Sequence, residues 1–155
     1  MYDPRIGGGI DTFIRENTSV IIMESLGSLT FEIQDVPAIC KVAKAKGVTT
    51  IIDNTWSSGI SLNPLALGAD ISVHAATKYV GGHSDVMYGA VVSRTEKHAK
   101  QVALARVHLG ISTTPDDTYQ ILRGFRSLHT RFQAQEQSAL KLATWFEGRA
   151  EVSQV

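Results

Sequence analysis

The sequence contains a single cysteine, Cys40, and no excess of charge, because fifteen basic residues balance fifteen acidic ones. One cysteine excludes an internal disulfide, and the lack of disulfides is typical of proteins in reducing compartments. A nucleic-acid-binding surface would show a basic excess, and a polyanion-binding or membrane-binding segment would show a block of like charges. Neither feature is present, so we expect no nucleic-acid partner.

Long apolar runs are also absent, and none approaches the roughly 20 residues that a membrane-spanning helix needs. The first residues, MYDPRIGGGID, lack the charged and then apolar pattern of a signal peptide. These absences predict a cytoplasmic protein without a membrane partner. The chain opens without a lead-in element and ends on an alternating run, EVSQV, that is typical of the start of a strand. We therefore expect a fragment of a longer protein.

The 155 residues, 43% of them hydrophobic, are enough for one domain with a buried core. Apolar and β-branched runs predict four strands, at residues 19–24, 48–52, 70–73 and 86–92. Between the first two, Asp35 predicts the N-cap of a helix that has apolar residues at helical spacing and ends at Gly47. The alternation predicts an α/β fold with a mostly parallel sheet and flanking helices.

Shorter helical segments are predicted at residues 11–16 and 62–67, and a helical period begins at Thr95. A further cap is predicted at Thr114, followed by Pro115 at the first helical position. Beyond it an apolar stripe is expected to pack in the core, formed by Tyr119, Leu122, Phe125 and Leu128 and extended by Leu140, Ala143, Trp145 and Phe146. The stripe belongs to one long helix or to two in series, with Gly124 as the weak point.

Polar residues follow three predicted strands at the points where the strands end. They are Glu24 and Ser25, Asp53 with Asn54 and Thr55, and Thr77 with Lys78. Because ligands in open parallel sheets bind outside the carboxyl ends of the strands, we expect these residues to converge on one rim.

Lys78 interrupts the apolar stretch ISVHAATKYVGG, and its nearest charged neighbours in sequence are Asp70 and Asp85. A lysine with apolar flanks and few carboxylates nearby is expected to be desolvated, which lowers its pKa. A neutral amine is what Schiff-base chemistry needs. The competing interpretation is an ordinary, exposed loop lysine.

Asp53 ends a predicted buried strand, where a carboxylate needs a partner. One interpretation is that it caps the following loop, as aspartate commonly does in an Asp-Asn turn. The other is that it faces the cationic ring nitrogen of a cofactor. Pyridoxal phosphate calls for both a lysine Schiff base and an acid paired with the pyridinium nitrogen.

The stretch DNTW…GADISVHAATKYVGGHSDVMYGAVV resembles the core of the trans-sulfuration family, the pyridoxal-phosphate-dependent enzymes of cysteine and methionine metabolism. The resemblance covers essentially the whole chain. It implies pyridoxal 5'-phosphate as the cofactor, Lys78 as the catalytic Schiff-base lysine, Asp53 as the acid at the pyridinium nitrogen, and Thr77 as a phosphate contact. Ala75 stands where the family frequently has a serine, which weakens the phosphate contact of this segment. The resemblance implies no metal.

Within the family, the stretches YDPRIG and ESLGSLTFEIQDVPAI, and Trp56 after Asp-Asn-Thr, are most similar to the cystathionine β-lyases. The γ-synthases and γ-lyases more often have phenylalanine after Asp-Asn-Thr and an E-S-P-x-N-P stretch, where this sequence has Leu26 and Ser28. The resemblance implies an amino-acid substrate, L-cystathionine, which would yield homocysteine, pyruvate and ammonia. Another trans-sulfuration activity is the alternative.

The resemblance also implies that residues 1–155 are a partial large domain of a fold-type I pyridoxal-phosphate-dependent transferase. In the family, a glycine-rich phosphate loop and a stacking tyrosine lie upstream of this segment, and the substrate-binding arginine lies downstream in a small C-terminal domain. Relatives of full length are homo-oligomers, typically tetramers. A non-catalytic remnant that keeps the sheet but binds no cofactor is therefore a second class of interpretation.

The remaining motifs do not indicate a function. A nicotinamide-binding domain would need G-x-G-x-x-G, and a hydrolase built around His83 would need G-x-S-x-G, and the sequence has neither. We expect His83 to order the turn after Lys78, and His74 to pack or form a hydrogen bond beside its strand. Cys40, on the apolar face of its helix, is expected in the core.

Overall fold

The structure, a computed structural model, describes residues 1–155. Its elements in chain order are a 3-10 helix (Gly7–Phe13), β1 (Val20–Glu24), α1 (Val36–Ala45), β2 (Thr49–Asp53), β3 (Ile71–Ala75), β4 (Gly89–Ser93), α2 (Glu96–His108) and α3 (Pro115–Glu147).

The four strands form one sheet in the order β1-β2-β3-β4. The first three are parallel, and β4 runs antiparallel to β3. The predicted α/β fold with a mostly parallel sheet is therefore confirmed. Glu24 pairs with Asp53, and Asp53 pairs with Val73, so the carboxyl ends of these three strands lie at one edge of the sheet, as predicted.

Helix α1 forms as predicted and covers one face of β1 and β2. The Asp35 carboxylate accepts a hydrogen bond from the Ala38 N–H at 3.0 Å, which satisfies one of the unpaired donors at the start of the helix. Cys40 is buried on the apolar face of α1, as predicted, and burial raises the pKa of its thiol. The buried core cluster comprises Ile10, Ile21, Met23, Val36, Ile39, Cys40, Ala43, Val48, Ile52 and Ala69.

Several predicted boundaries are wrong. The first helix begins at Gly7 as a 3-10 helix, because three small glycines allow the tighter winding. Residues 64–68 form a turn where a helix over residues 62–67 is predicted, since the Asn63 side chain accepts the Ala66 N–H and Gly68 has φ +109°. The fourth strand starts at Gly89, because the backbone of Tyr88 is bound to Thr77. The last residues, 149–155, form turns and bends where a strand was predicted.

Helix α3 is one continuous helix of 33 residues and has no break at Gly124. Its predicted cap is confirmed, because the Thr114 hydroxyl accepts the Asp117 N–H at 3.0 Å. The prediction that the apolar stripe packs in the core is wrong, because α3 contacts a loop and does so through only a narrow face. Of the stripe only Leu128 is fully buried; the side chains that remain exposed include Tyr119, Leu122 and Phe125. Although α3 has the length of a membrane span, no helix combines that length with the required apolarity.

Gly124 lies at a close contact between α3 and the turn after β3. A Cβ added there would overlap the carbonyl oxygens of Val80 and Gly81. We expect Gly124→Ala to lower the free energy of unfolding by about 1–3 kcal/mol through overpacking, even though alanine favours helix by about 1 kcal/mol. Urea denaturation measures the change. In the control Gly8→Ala, the new Cβ meets no atom within 4 Å. Equal stability of the two variants would contradict the close contact.

Asp70 fixes the start of β3 through a charged network. Its carboxylate accepts the N–H and the hydroxyl of Thr50, both at 3.0 Å, and pairs with Arg94. Burial raises the pKa of Asp70, but the hydrogen bonds from Thr50 and the Arg94 guanidinium outweigh it and hold the pKa below the ordinary 3.8.

This lowered pKa predicts an acid-dependent loss of stability. The unfolded chain binds the proton at higher pH than the folded chain does. The contribution of Asp70 to the free energy of unfolding is therefore complete above pH 3.8 and is lost as the pH falls through the folded pKa. Denaturation curves from pH 7 to pH 2 measure it. We expect Asp70→Asn to be less stable at pH 7 than the parent chain and to lose less stability in acid. Parallel curves for Asp70→Asn and the parent would refute the assignment.

Candidate active site

Lys78 lies in a tight turn after the end of β3. Its N–H donates to the Ala75 carbonyl at 3.0 Å, and the Gly82 N–H donates to the Lys78 carbonyl at 2.8 Å. Gly82 has φ +78°, a left-handed conformation that favours glycine. His83 Nδ1 donates to the Gly81 carbonyl at 2.7 Å, which confirms the predicted role of His83 in ordering this turn.

The side chain of Lys78 is exposed, so the predicted desolvation of Lys78 is wrong for this chain. The Lys78 amine makes no hydrogen bond within the chain, and none of the ion pairs includes it. An unpaired primary amine is thus held on an ordered backbone.

This amine lies on the wall of a cavity of about 800 Å³. Protein sites for small molecules commonly have volumes of about 300–1,000 Å³. The cavity brings together the ends of β1, β2 and β3 with one face of α3, and its walls include Ser28, Thr55, Trp56, Thr77, Lys78, Tyr79, Arg131 and Gln135. Of the residues of the predicted rim, Thr55, Thr77 and Lys78 line this cavity.

Thr77 lies beside Lys78 on the same wall and ties the turn to the start of β4. Its hydroxyl accepts the Tyr88 N–H at 2.7 Å and donates to the Tyr88 carbonyl at 3.2 Å. A hydroxyl has one proton, so a hydrogen bond donated to a phosphate would replace the bond to Tyr88. The phosphate contact of Thr77 stays a prediction.

Asp53 ends β2 and is half-buried, but it does not line the cavity. Its Oδ1 accepts the Thr55 N–H at 2.9 Å, which is the loop-capping turn that one interpretation predicts. The Thr55 hydroxyl, on the cavity wall, accepts the Ala75 N–H at 2.8 Å. The structure therefore brings Lys78 and Thr77 together, and it places Asp53 behind Thr55 at the neighbouring strand end.

His74 also lies near Asp53. Its Nε2 and the Ser72 hydroxyl are 3.0 Å apart, which confirms the predicted hydrogen bond beside the strand. Burial lowers the pKa of His74, and the negative charge of Asp53 opposes this shift only in part. His74 is therefore neutral at pH 7 and adds no positive charge to this side of the sheet.

A row of aromatic rings separates the cavity from a second one of about 690 Å³. The ring centroids of Phe31 and Trp56 are 5.5 Å apart, and those of Trp56 and Tyr79 and of Tyr79 and Phe132 are each 6.1 Å apart. Trp56 and Tyr79 line both cavities. The side chain of Trp56 therefore lines the candidate site and not the hydrophobic core.

Arg131 is a residue of this site that the sequence analysis missed. Its guanidinium donates to the carbonyls of Tyr79 and Val80, at 2.8 and 3.2 Å, directly after Lys78. A signal for it exists in the sequence. Residues 121, 124, 128 and 131 repeat at intervals of three and four, which places Arg131 on the same face of α3 as the buried Gly124 and Leu128.

The residues present fit a pyridoxal-type cofactor. Lys78 provides an unpaired amine for an aldehyde, and Trp56 and Tyr79 provide aromatic walls beside it. Asp53 provides a carboxylate one strand away, and Thr55, whose N–H it accepts, lines the cavity. Lys78 would hold the cofactor, and Asp53 would serve the ring nitrogen.

Known proteins match this chain over nearly its whole length. A sequence model of the family described as Cys/Met metabolism PLP-dependent enzyme matches residues 1–155. Cystathionine beta-lyase from Bordetella avium is 43% identical over 91% of this chain and 36% of its own length. L-alanine/L-glutamate racemase from Wolbachia pipientis is 36% identical over 99% of this chain and 38% of its own length.

The solved structure of cystathionine gamma-lyase from Lactobacillus plantarum, complexed with L-serine, superposes with a TM-score of 0.95 at 33% identity. The superposition covers 99% of this chain and 40% of that one. The chain therefore spans about two fifths of the length of these relatives. These matches confirm the predicted fold and the predicted cofactor, pyridoxal 5'-phosphate, and the chain belongs to the pyridoxal-phosphate-dependent enzymes of cysteine and methionine metabolism.

Proposed function

We propose that residues 1–155 are part of the large, cofactor-binding domain of a carbon–sulfur β-lyase. Its substrates are L-cystathionine and water, and its products are homocysteine, pyruvate and ammonia. The observation that carries the proposal is the unpaired amine of Lys78 on the wall of the cavity at the carboxyl edge of the parallel sheet. By analogy with such sheets, this edge is where a substrate enters.

The cofactor and the residues of this chain would each supply part of the chemistry. When bound, pyridoxal phosphate supplies an aldehyde for the substrate amine and a ring that accepts electrons from the α-carbon. Lys78 would hold the cofactor covalently and, once displaced by the substrate amine, its Nζ would take the α-proton as general base. The Asp53 carboxylate would keep the ring nitrogen protonated. Lys78 Nζ would then pass its proton to sulfur as the bond from the β-carbon to sulfur breaks, so that homocysteine leaves as a thiol.

Two side chains support a β-lyase over the γ-enzymes of the family. The sequence has Leu26 and Ser28 where the γ-enzymes more often have proline and asparagine. Ser28 lines the cavity that contains Lys78, and Leu26 lines the adjoining cavity behind Trp56. The positions at which this sequence departs from the γ-enzymes thus face the space that a substrate would occupy. Cystathionine beta-lyase from Bordetella avium is among the relatives.

A racemase is a second candidate, because an L-alanine/L-glutamate racemase is 36% identical to the chain. Racemisation needs the same removal of the α-proton by Lys78 and its return to the opposite face, but it needs no leaving group. The two reactions therefore differ in the fate of the β-substituent rather than in the role of Lys78.

Product analysis tests the proposal. The chain is loaded with pyridoxal phosphate and incubated with L-cystathionine, and separately with L-alanine. We expect equal amounts of pyruvate and homocysteine from L-cystathionine and no D-alanine. Cysteine with 2-oxobutyrate would instead establish γ-cleavage, and D-alanine without any oxo acid would establish a racemase. A chain that takes up no cofactor in equilibrium dialysis would be the non-catalytic remnant.

A further inference from the structure

The backbone just after Lys78 is fixed by hydrogen bonds from helix α3. The carbonyls of Tyr79 and Val80 find their donors in the Arg131 guanidinium of α3. The same guanidinium donates to the Gly124 carbonyl at 2.9 Å, and its Nε donates to the Ser127 hydroxyl at 3.0 Å. One side chain therefore joins the helix to the turn that carries the lysine.

This contact is shaped by two glycines. A Cβ at Gly82 would overlap the guanidinium of Arg131, and a Cβ at Gly124 would overlap the carbonyls of Val80 and Gly81. Glycine at both positions lets the turn and the helix approach closely enough for the hydrogen bonds to form. The close approach at Gly124 and the two hydrogen bonds from Arg131 to the turn are separate observations of the same junction.

Arg131 meets only neutral partners here. Its hydrogen bonds go to carbonyl and hydroxyl oxygens, and none of the ion pairs in the chain includes it. A guanidinium is a planar fork with five donors, whereas a lysine ammonium has three donors on one atom. Lysine would keep the charge at this position but could not reach the same set of oxygens.

We propose that Arg131 is a positioning residue for Lys78, which holds the turn so that the amine enters the cavity from a fixed direction. This inference rests on the proposed function, because it concerns the amine that receives the cofactor. Misplacement of a reacting group by about 1 Å costs as much as 10²-fold in rate. Without Arg131 the carbonyls of Tyr79 and Val80 would lose their donors, and the turn would move to find others.

The rate of cofactor attachment at Lys78 tests the inference without an activity assay. The whole chain is exposed to pyridoxal phosphate for short times, the adducts are fixed with borohydride, and peptide mass spectrometry gives the rates at Lys78 and Lys97. Lys97, exposed on α2, is the internal reference. We expect Arg131→Lys to lower the ratio of the Lys78 rate to the Lys97 rate by about tenfold or more. The control Arg126→Lys, exposed on α3, leaves the ratio unchanged.

The outcomes separate the two proposals. If Lys78 in the parent chain reacts no faster than Lys97, the proposed function fails. If Lys78 is preferred in the parent and equally preferred in a folded Arg131→Lys chain, the positioning role fails and the proposed function stands. Should circular dichroism show that Arg131→Lys is unfolded, Ser127→Ala decides, since it removes the bond to Nε and the bond from Ser127 to the Gly124 carbonyl but keeps the guanidinium. We then expect a loss of about twofold to threefold in the same ratio, and an unchanged ratio refutes the role.

Discussion

Lys78→Ala is expected to abolish the borohydride-fixed adduct at this position and to slow pyruvate formation by at least about 10²–10⁴-fold. The amine is the group that holds the cofactor and takes the α-proton in the proposed reaction. Its side chain makes no hydrogen bond or ion pair and is exposed, so its removal changes stability by no more than about 0.5 kcal/mol. Function and stability therefore separate cleanly at this residue.

A second variant, Lys78→Arg, separates the charge of Lys78 from its ability to form a covalent link with the cofactor. Arginine keeps the positive charge and the length of the side chain, but it stays protonated and forms no covalent link to an aldehyde. We expect Lys78→Arg to lose the adduct and the activity as completely as Lys78→Ala does. Lys97→Ala, an exposed lysine on α2, is the control that keeps both. An adduct of undiminished yield in Lys78→Ala would show that another lysine carries the cofactor.

Local signals predict much of the fold. The β-branched run that becomes β2, the Asp35 cap of α1 and the Thr114 cap of α3 each act within a few residues. The meeting of strand ends at one rim also follows from the sequence, because parallel strands share their direction. Each of these inferences needs only the identity of near neighbours along the chain.

The environment of Lys78 could not be predicted in this way. Its apolar neighbours in sequence predict burial, but exposure depends on which distant elements cover the turn. In the structure, Arg131 reaches Tyr79 across 52 residues of sequence, and the side chain of Lys78 beside it stays exposed. A contact of that separation leaves no local pattern beside Lys78.

The contact face of α3 is predicted wrongly for a related reason. An apolar stripe predicts packing against another apolar surface, yet α3 meets a backbone turn, where small size and hydrogen-bond donors matter more. Gly124 allows the approach and Arg131 supplies the donors, whereas the larger Leu122 and Phe125 point to solvent. Hydrophobic periodicity identifies the helix but not the face that contacts its neighbour.

The two interpretations of Asp53 are compatible in the structure. Oδ1 accepts the Thr55 N–H, as a loop cap does, while no hydrogen bond within the chain occupies Oδ2. A carboxylate with one oxygen fixed by the backbone is oriented, and its second oxygen remains available to a cationic ring nitrogen. The turn that caps the loop would then also set the direction of the charge.

Asp53→Asn is therefore expected to slow pyruvate formation by about 10²–10³-fold, the usual cost of losing one preorganised electrostatic contact. The amide oxygen of asparagine still accepts the Thr55 N–H, so the turn is kept, but a neutral amide does not hold a proton on the ring nitrogen. Rates at saturating cofactor and urea denaturation measure the two effects. We expect unchanged stability of Asp53→Asn, and we expect the exposed Asp116→Asn to match the parent in rate. A parent-like rate in Asp53→Asn would reduce Asp53 to a loop cap.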